Sequence, residues 1–147
     1  MEMQNVNAHK TAITRKNPSV PMRNLDKKGL LQGRLLDYGC GKGFDAIHFG
    51  MDAYDPHFFP DMPSGMFDTI TCNYVLNVVD EDQVQGILIQ ISNLLKNGGN
   101  AYITVRRDIK QEGFTSKKTY QRNVVLPLPV LKETSSFCTY ILTKGEL

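Results

Sequence analysis

The sequence predicts an α/β fold built on a mostly parallel β-sheet. Short apolar segments alternate with helical segments over the first two thirds of the chain, which is typical of strands joined by crossover helices. A glycine cluster follows the first of these strands. With 147 residues, 41% hydrophobic and 22% charged, the chain has the size and composition of one globular domain. We expect residues 1–28 to form a basic N-terminal arm and residues 29–147 to form the single domain.

The elements follow in chain order. The arm is polar and basic, and Pro18 and Pro21 disfavour a continuous helix, so we expect it to pack on the domain outside the core. A loop is predicted at residues 56–65, where prolines cluster. The first helix of the domain, at 44–49, has room for only one or two turns. The predicted strands are residues 34–38, 51–54, 67–74, 101–105, 124–128 and 139–142.

The clearest helix lies in the second half of the chain. Its apolar residues recur at three- and four-residue spacing, which places them on one face. Asp80 is positioned to cap the first amides, with Gln83 completing a capping box. Residues 97–99 read Asn-Gly-Gly and are expected to end the helix. The apolar stripe consists of Val84, Ile87, Leu88, Ile91, Leu94 and Leu95.

The glycine cluster is the most informative segment. Residues 37–43 read Asp-Tyr-Gly-Cys-Gly-Lys-Gly, so the backbone can turn tightly and a ligand can approach it closely. Asp55 follows the next predicted strand, where a carboxylate can accept hydrogen bonds from both hydroxyl groups of a ribose. The dinucleotide fingerprint fails because Phe44 takes the place of its third glycine. Asp37 would repel a pyrophosphate but suits a cationic amino acid, which favours S-adenosylmethionine.

Four segments in order resemble the class I S-adenosylmethionine-dependent methyltransferases. The resemblance implies a trimmed Rossmann-like sheet, mostly parallel with an antiparallel C-terminal strand, and flanking helices. It also implies methyl transfer from S-adenosylmethionine to an acceptor that the sequence does not identify. The sheet is expected to be trimmed because few residues separate Gly43, Asp55 and Asp68. The four matching segments are residues 35–43, 54–56, 67–76 and 94–103.

A narrower resemblance is to the methyltransferase domains associated with bacterial DNA phosphorothioation and to short phage-type relatives. That association records which genes lie together and supplies no reaction. It leaves an alternative function open, a non-catalytic module that binds S-adenosylmethionine or a partner protein. A fold that has lost the cofactor is a third reading, disfavoured by the intact acids and glycines. The segments that carry the resemblance are residues 9–13, 36–41, 54–57, 73–78 and 118–122.

The wider family implies a role for residues at both ends of the cofactor. At the methionine end, Gly39, Gly41 and the backbone of Cys40 would line the ligand. Asp37 would orient its ammonium group, and Asn73 would offer a carbonyl oxygen nearby. At the nucleoside end, the expected contacts are Asp55 with the ribose and Pro56, His57, Asp61 and Met62 with the adenine.

The catalytic residue is not identified by any motif. Residues 73–76 read Asn-Tyr-Val-Leu, without the proline pair of amino-methylating DNA enzymes. Tyr74 is expected close to the transferred methyl group, and His57 and His9 are the other candidates. Cys72 lies inside a predicted strand and is expected to be buried packing. The three histidines lack metal-ligand spacing, so no metal site is expected.

Charge is distributed unevenly along the chain. Residues 1–34 carry a balance of +5, residues 35–99 of −7 and residues 100–147 of +4. Nucleic acid, if bound, would therefore meet the two ends. A second copy of the chain is the other partner considered, because a trimmed sheet edge needs cover. Three dispersed cysteines and no apolar segment of membrane length lead us to expect a reduced, cytoplasmic protein with no membrane partner.

Overall fold

The computed structural model describes residues 12, 15–115 and 119–146. Its main sheet has six strands in the order β2-β1-β3-β4-β8-β7, and a separate pair joins β5 to β6. The helices are α1 (Val20–Lys27), α2 (Phe44–Phe49) and α3 (Glu81–Leu94), with a 3-10 turn at Leu76–Val78. The strands are β1 (Leu35–Tyr38), β2 (Asp52–Tyr54), β3 (Phe67–Asn73), β4 (Leu95–Arg106), β5 (Gly113–Phe114), β6 (Tyr120–Gln121), β7 (Val130–Glu133) and β8 (Phe137–Thr143).

Four neighbouring strands run parallel, and this confirms the predicted fold class. β1 pairs in parallel with both β2 and β3, and β3 pairs in parallel with β4. β8 then runs antiparallel to β4, and β7 antiparallel to β8. The carboxyl ends of β1 to β4 therefore meet at one edge of the sheet, which is where ligands bind in open α/β sheets.

The core is divided between two apolar clusters. The larger holds the buried face of α3, including Ile87, Leu88 and Ile91, so the predicted stripe is confirmed. The smaller holds Met22 and Leu25 of α1 with side chains of α2 and β2. Burying one such aliphatic side chain contributes roughly 1.5–3 kcal/mol. In the described ranges, every helix is too short or too polar to cross a membrane.

Helix α3 begins where predicted, but its capping differs. Asp80 occupies the N-cap position with an extended backbone, and its side chain makes no capping hydrogen bond. Its main-chain carbonyl accepts from the N–H of Gln83 instead, at 3.0 Å. The predicted capping box is therefore wrong. Glu81 and Asp82 place negative charge in the first turn, where it interacts favourably with the helix dipole.

Helix α3 also ends earlier than predicted. Leu95 adopts an extended conformation and pairs with Phe67, so the chain enters β4 directly from the helix. Residues 97–99 lie within β4, at an irregularity in its pairing with β3, and do not serve as the helix stop. A side chain at Gly99 would come within 2.9–3.1 Å of three main-chain oxygens. Glycine is needed there because neighbouring backbone segments approach so closely.

The final strand pair differs from the prediction in one member. The strand expected at 139–142 is confirmed inside β8, but residues 124–128 form no strand. Val124 and Leu126 are buried in the larger core cluster, which explains their apolar character. Pro127 lacks an N–H to donate to a sheet ladder. The partner of β8 is β7, which follows these residues.

The second half of the predicted N-terminal arm contributes to the core. Residues of this segment were predicted to pack outside the core, but they form α1, in which Met22 and Leu25 are fully buried. Pro21 sits in the first turn of this helix, where its missing N–H costs nothing. The N–H of Ser19 donates to the Asp45 carboxylate at 3.0 Å, which fixes the start of α1 to α2. The expectation of an arm outside the core is therefore wrong for this segment.

Candidate functional site

The glycine loop after β1 is bonded to the end of β2. The N–H groups of Gly39 and Cys40 both donate to the carbonyl of Tyr54, at 2.7 and 3.0 Å. The N–H of Gly41, the next residue of the loop, donates to the carboxylate of Asp55 at 3.0 Å. The two segments that the sequence singled out separately thus form one hydrogen-bonded unit at the edge where β1 and β2 end.

The second carboxylate oxygen of Asp55 stabilises the loop that contains this residue. Its Oδ1 accepts from the N–H groups of His57 and Phe58, at 2.9 and 3.1 Å. Reciprocal main-chain bonds of 3.0 Å link Asp55 to Phe59 and close the turn. A carboxylate offers about four lone-pair positions. Three described N–H donors occupy it, which leaves one position for a hydroxyl of a ligand.

Two glycines of the loop have positive φ and close neighbours, and at Gly39 the space alone excludes a side chain. Gly39 has φ +79°, and an added Cβ would lie 2.2 Å from the Cγ2 of Val75. Gly41 has φ +57°, and its added Cβ would lie 3.2 Å from the Cβ of Ala12. Residue 12 of the arm therefore lies directly beside the glycine loop.

Asp37 is a buried acid at the end of β1. Only 3% of its surface is exposed, and its Oδ1 accepts from the hydroxyl of Thr71 at 2.9 Å. The pKa of Asp37 is raised to about 7, chiefly by burial and also by the nearby carboxylates of Asp45 and Asp55, while the hydrogen bond from Thr71 acts to lower it. Near neutral pH this carboxyl group is therefore partly protonated, and a bound cation would favour its ionised form.

Asn73 and Tyr74 follow at the end of β3. Both polar atoms of the Asn73 amide are buried, and among the described residues they have no hydrogen-bond partner. Buried amides are normally paired, so such a group indicates a place for a ligand. Tyr74 is the only non-glycine residue of positive φ in the described ranges, at 64°. Its N–H donates to the carbonyl of Thr104 at 2.7 Å, which holds the turn against β4.

Asp37 and Asn73 lie on the same face of the sheet. Asp37 is paired with Thr71 across β1 and β3. Side chains alternate along a strand, so Asn73 projects from the same face, about 7 Å further towards the carboxyl edge. The carboxyl group of Asp37 and the amide of Asn73 thus lie on one face of the sheet, near the carboxyl ends of β1 and β3, where the glycine loop also lies.

The expected adenine contacts lie together in the exposed turn after β2. Pro56, His57, Asp61 and Met62 are all exposed, and Met62 is exposed over 40% of its surface. The ring of His57 packs edge-on against Phe58 at 4.6 Å. These residues border the Asp55 turn. The third catalytic candidate, His9, lies outside the described residues.

The cysteines near the site are poor nucleophiles. Burial raises the pKa of the partly exposed Cys40 thiol to about 12, so it stays neutral at physiological pH. Cys72 is fully buried in β3, and burial raises the pKa of its thiol further. The prediction that Cys72 is core packing is confirmed.

The sequence analysis missed the residue that organises the side of the site beyond Tyr74. Asn77 is 2% exposed, and its Oδ1 accepts from the N–H of Arg106 at 2.8 Å. Its Nδ2 donates to the carbonyl of Arg122 at 2.9 Å. The available signal was a lone asparagine in the apolar run of residues 75–79.

The phenol of Tyr74 is partly buried, and burial raises its pKa. The guanidinium groups of Arg15 and Arg106 act in the opposite direction and lower it.

The comparisons with known families and structures agree on one fold. The model of a protein family described as "Methyltransferase domain" matches residues 9–124. No curated protein matches the sequence. A 1,6-didemethyltoxoflavin-N1-methyltransferase from Burkholderia thailandensis, solved with S-adenosylhomocysteine, is 16% identical with a TM-score of 0.64. The match covers 86% of this chain and 78% of that one.

Two further structures are similar to the chain. TehB from Haemophilus influenzae is 15% identical with a TM-score of 0.58, over 89% of this chain and 64% of its own. The N-methyltransferase NodS from Bradyrhizobium japonicum, solved with S-adenosyl-L-homocysteine, is 10% identical with a TM-score of 0.51, over 86% and 85%. The chain spans only half of another matching protein, from work on echinomycin biosynthesis. At these identities the likeness shows the fold.

Proposed function

The chain belongs to the methyltransferase-domain family, and we propose that it binds S-adenosylmethionine at the carboxyl ends of β1, β2 and β3 and transfers its methyl group to an acceptor. The observation that carries the proposal is the buried, unpaired amide of Asn73, which faces the same side of the sheet as the buried acid Asp37. An apolar ligand would leave the Asn73 amide without a partner. An amino-acid ligand can satisfy it, because an ammonium group donates to the Asn73 carbonyl oxygen and to the Asp37 carboxylate, and a carboxylate accepts from the Asn73 Nδ2.

The residues present fit this cofactor. S-adenosylmethionine supplies a methyl group on a positively charged sulfur, which a nucleophile can accept. Asp37 would bind its ammonium group, and the carbonyl oxygen of Asn73 would accept a further hydrogen from it. The glycines of the loop at 39–41 leave its main chain uncovered by their own side chains, so the methionine part can approach it closely. Asp55 has one acceptor position left for a ribose hydroxyl.

The remaining assignments concern adenine and the acceptor. Pro56, His57, Asp61 and Met62 line the turn after β2 and would border the adenine. Tyr74 has a neutral phenol, because burial raises its pKa, so it can donate a hydrogen bond that orients the acceptor. Alignment of an acceptor with the methyl group supplies much of the rate enhancement that such a transfer needs. His57 follows β2, which β1 separates from β3 and Tyr74, so its role in this proposal is the adenine contact and not the removal of a proton from the acceptor.

The test is calorimetric titration of the purified protein with S-adenosylmethionine and with S-adenosylhomocysteine. We expect micromolar dissociation constants for both, and a loss of at least tenfold, or about 1.4 kcal/mol, in an Asn73→Ala variant. Asn97→Ala is the matched control, because Asn97 is exposed at the opposite end of the parallel strands. Absence of binding to the wild type at millimolar ligand would overturn the proposal.

Measuring the formation of S-adenosylhomocysteine in the same samples distinguishes an enzyme from the non-catalytic alternative. An enzyme converts S-adenosylmethionine to S-adenosylhomocysteine when an acceptor is present, whereas a binding module retains the cofactor unchanged. The narrower resemblance to phosphorothioation-associated domains stays a prediction, since the matching family model describes the wider methyltransferase domain. DNA is therefore one of the acceptors to be tested, together with RNA and cell lysate.

A further inference from the structure

Residues 60–66 form a loop that joins the turn after β2 to the first residue of β3. Six of the seven are exposed, and none belongs to a helix or strand. The near end of this loop is fixed at the candidate site, because Asp55 and Phe59 exchange main-chain hydrogen bonds of 3.0 Å. The Phe59 ring packs on the end of the glycine cluster, since a Cβ added to Gly43 would lie 2.9 Å from two of its carbons. The loop therefore starts beside the position where Asp55 would bind a ribose.

The far end of the loop is held by the side chain of Arg34, the residue before β1. Its Nη2 donates to the carbonyl of Ser64 at 2.8 Å, and its Nη1 donates to the carbonyl of Met66 at 3.5 Å. Gly65 lies between these two residues with φ +91°, and a Cβ added there would collide with Nη1. The guanidinium group therefore lies directly against the main chain of the loop, in space that a side chain at position 65 would fill.

Within the described part of the chain, Arg34 is the only residue outside the loop that hydrogen-bonds to residues 60–66. Its guanidinium group also pairs with Asp52 at 3.2 Å and lies 4.4 Å from the ring centroid of Phe67. The main chain of Arg34 is held separately, because its N–H donates to the Asp68 carboxylate at 2.7 Å and its carbonyl accepts from the Asp68 N–H at 2.9 Å. Loss of the guanidinium donors should therefore release the loop and leave β1 in place.

We infer that Arg34 is a positioning residue for the nucleoside end of the site, which it serves by holding residues 60–66. The four residues of β1 separate Arg34 from the carboxyl edge of the sheet, a distance of about 13 Å. The guanidinium group therefore acts through the loop, which contains the expected adenine contacts Asp61 and Met62. A loop that is already ordered loses less conformational entropy when a ligand binds against it. The inference rests on the proposed function, because it concerns affinity for the adenosine part of the cofactor.

The test is calorimetric titration of the full chain with S-adenosylhomocysteine and with 5′-methylthioadenosine, which lacks the amino-acid group. The main variant is Arg34→Met, because methionine keeps an unbranched side chain over Phe67 but donates no hydrogen bond. It should weaken both ligands by the same factor, about fivefold, the cost of ordering roughly one further side chain. Asn73→Ala should weaken S-adenosylhomocysteine only, because the nucleoside carries no ammonium or carboxylate group for the amide.

Three further variants separate positioning of the loop from general packing. Asp52→Ala is the matched control, because it removes the ion pair but leaves both hydrogen bonds from Arg34 to the loop, and it should bind both ligands like the wild type. Arg34→Lys keeps a charged donor and should restore most of the affinity. Gly65→Ala displaces the guanidinium group from the other side, so it should resemble Arg34→Met and carries the same comparison if that variant does not fold. Thermal melting shows which variants are folded.

Limited digestion with thermolysin tests the loop in the absence of a ligand. This protease cleaves before apolar side chains, so the bond between Gly65 and Met66 is the expected cut, identified by mass spectrometry. Arg34→Met should be cut there faster than the wild type, and Asp52→Ala should be cut at the wild-type rate. Equal cleavage of Arg34→Met and the wild type would show that Arg34 does not hold the loop.

The binding results distinguish this inference from the proposed function. Unchanged affinity of a folded Arg34→Met variant for both ligands would overturn the inference alone. Weakening of S-adenosylhomocysteine without weakening of 5′-methylthioadenosine would also overturn it, because the effect would then lie at the amino-acid end. Absence of binding of either ligand to the wild type would remove the proposed function together with the inference.

Discussion

The main-chain N–H of Gly41 donates a hydrogen bond to the carboxylate of Asp55 at 3.0 Å. This bond joins the glycine loop after β1 to the acid after β2, two residues that are 14 positions apart in the chain. The loop conformation and the position of the acid therefore depend on each other. A ligand bound to either one is affected by a change in the other.

Replacing Asp55 by alanine should weaken S-adenosylmethionine binding at least tenfold. The variant loses the acceptor position for the ribose and three hydrogen bonds to a charged group, which are worth about 1.5–3 kcal/mol each. Calorimetry measures the affinity, and circular dichroism confirms the fold. Asp52→Ala is the control, because Asp52 makes an exposed ion pair with Arg34 and should leave binding unchanged. Full affinity in a folded Asp55→Ala protein would refute the ribose assignment.

Cofactor affinity should depend on pH through Asp37. Its pKa of about 7 lies above the ordinary 3.8, and a cationic ligand binds the ionised form. Affinity should therefore rise by up to about tenfold per unit as pH increases towards 7, and then level off. The contribution of Asp37 to folding runs the opposite way. It is present below pH 3.8 and is lost as pH rises through 7, because burial favours the neutral acid.

Two variants check this assignment by calorimetry at several pH values. Asp37→Asn should bind weakly at every pH, since its side chain cannot ionise. Thr71→Val should move the midpoint of the profile above 7, because the Thr71 hydroxyl holds the pKa of Asp37 down. A flat profile in the wild-type protein would mean that Asp37 does not bind the ammonium group.

Substitution of Gly39 by alanine should destabilise the domain more than the same change at Gly29. Both glycines have similar positive φ, +79° and +70°, so each pays about 1–2 kcal/mol for a left-handed alanine. Only at Gly39 does the new Cβ meet a neighbour, the Cγ2 of Val75 at 2.2 Å, which adds about 1–3 kcal/mol of overpacking. Urea denaturation measures the difference. In a Val75→Ala background the two glycine substitutions should cost the same, and a persistent difference would contradict this explanation.

Deletion of residues 1–16 should speed the dissociation of S-adenosylhomocysteine. Ala12 lies beside Gly41 and would cover a ligand in the glycine loop. Loss of about 1 kcal/mol of contact corresponds to roughly fivefold faster dissociation. The deletion keeps the Ser19–Asp45 hydrogen bond and α1, whereas removal of residues 1–28 would also delete Met22 and Leu25 and expose the core residues that they cover. Stopped-flow displacement measures the rate, and an unchanged rate would show that the arm does not cover the site.

The first part of the fold was predictable because its signals are local. β1, β3 and the second half of β4 contain short apolar runs, and the glycine cluster at 37–43 and Asp55 mark where β1 and β2 end. The stripe of α3 was equally visible from its spacing. These patterns depend on neighbouring residues only, so they can be read without knowing what packs against them.

Several features were decided by contacts between distant parts of the chain. Leu95 continued the helical stripe, yet its pairing with Phe67 makes it the first residue of β4. Residues 124–128 and 130–133 are both apolar enough for a strand, and the pairing with β8 selected the second. The helical conformation of α1 became favourable because the sheet and α2 bury Met22 and Leu25. Periodicity alone cannot rank such choices, because their free energies depend on tertiary burial.

The local sequence pattern predicts the residues of the candidate site, namely the glycine loop, Asp37, Asp55, Asn73 and Tyr74. The chemical state of these residues depends instead on tertiary packing. Burial beside Thr71 raises the pKa of Asp37, the packing of β3 leaves the Asn73 amide unpaired, and Asn77 joins the turn after Tyr74 to Arg122. Residue identity follows from local sequence, but solvation and hydrogen bonding follow from what the folded chain brings together.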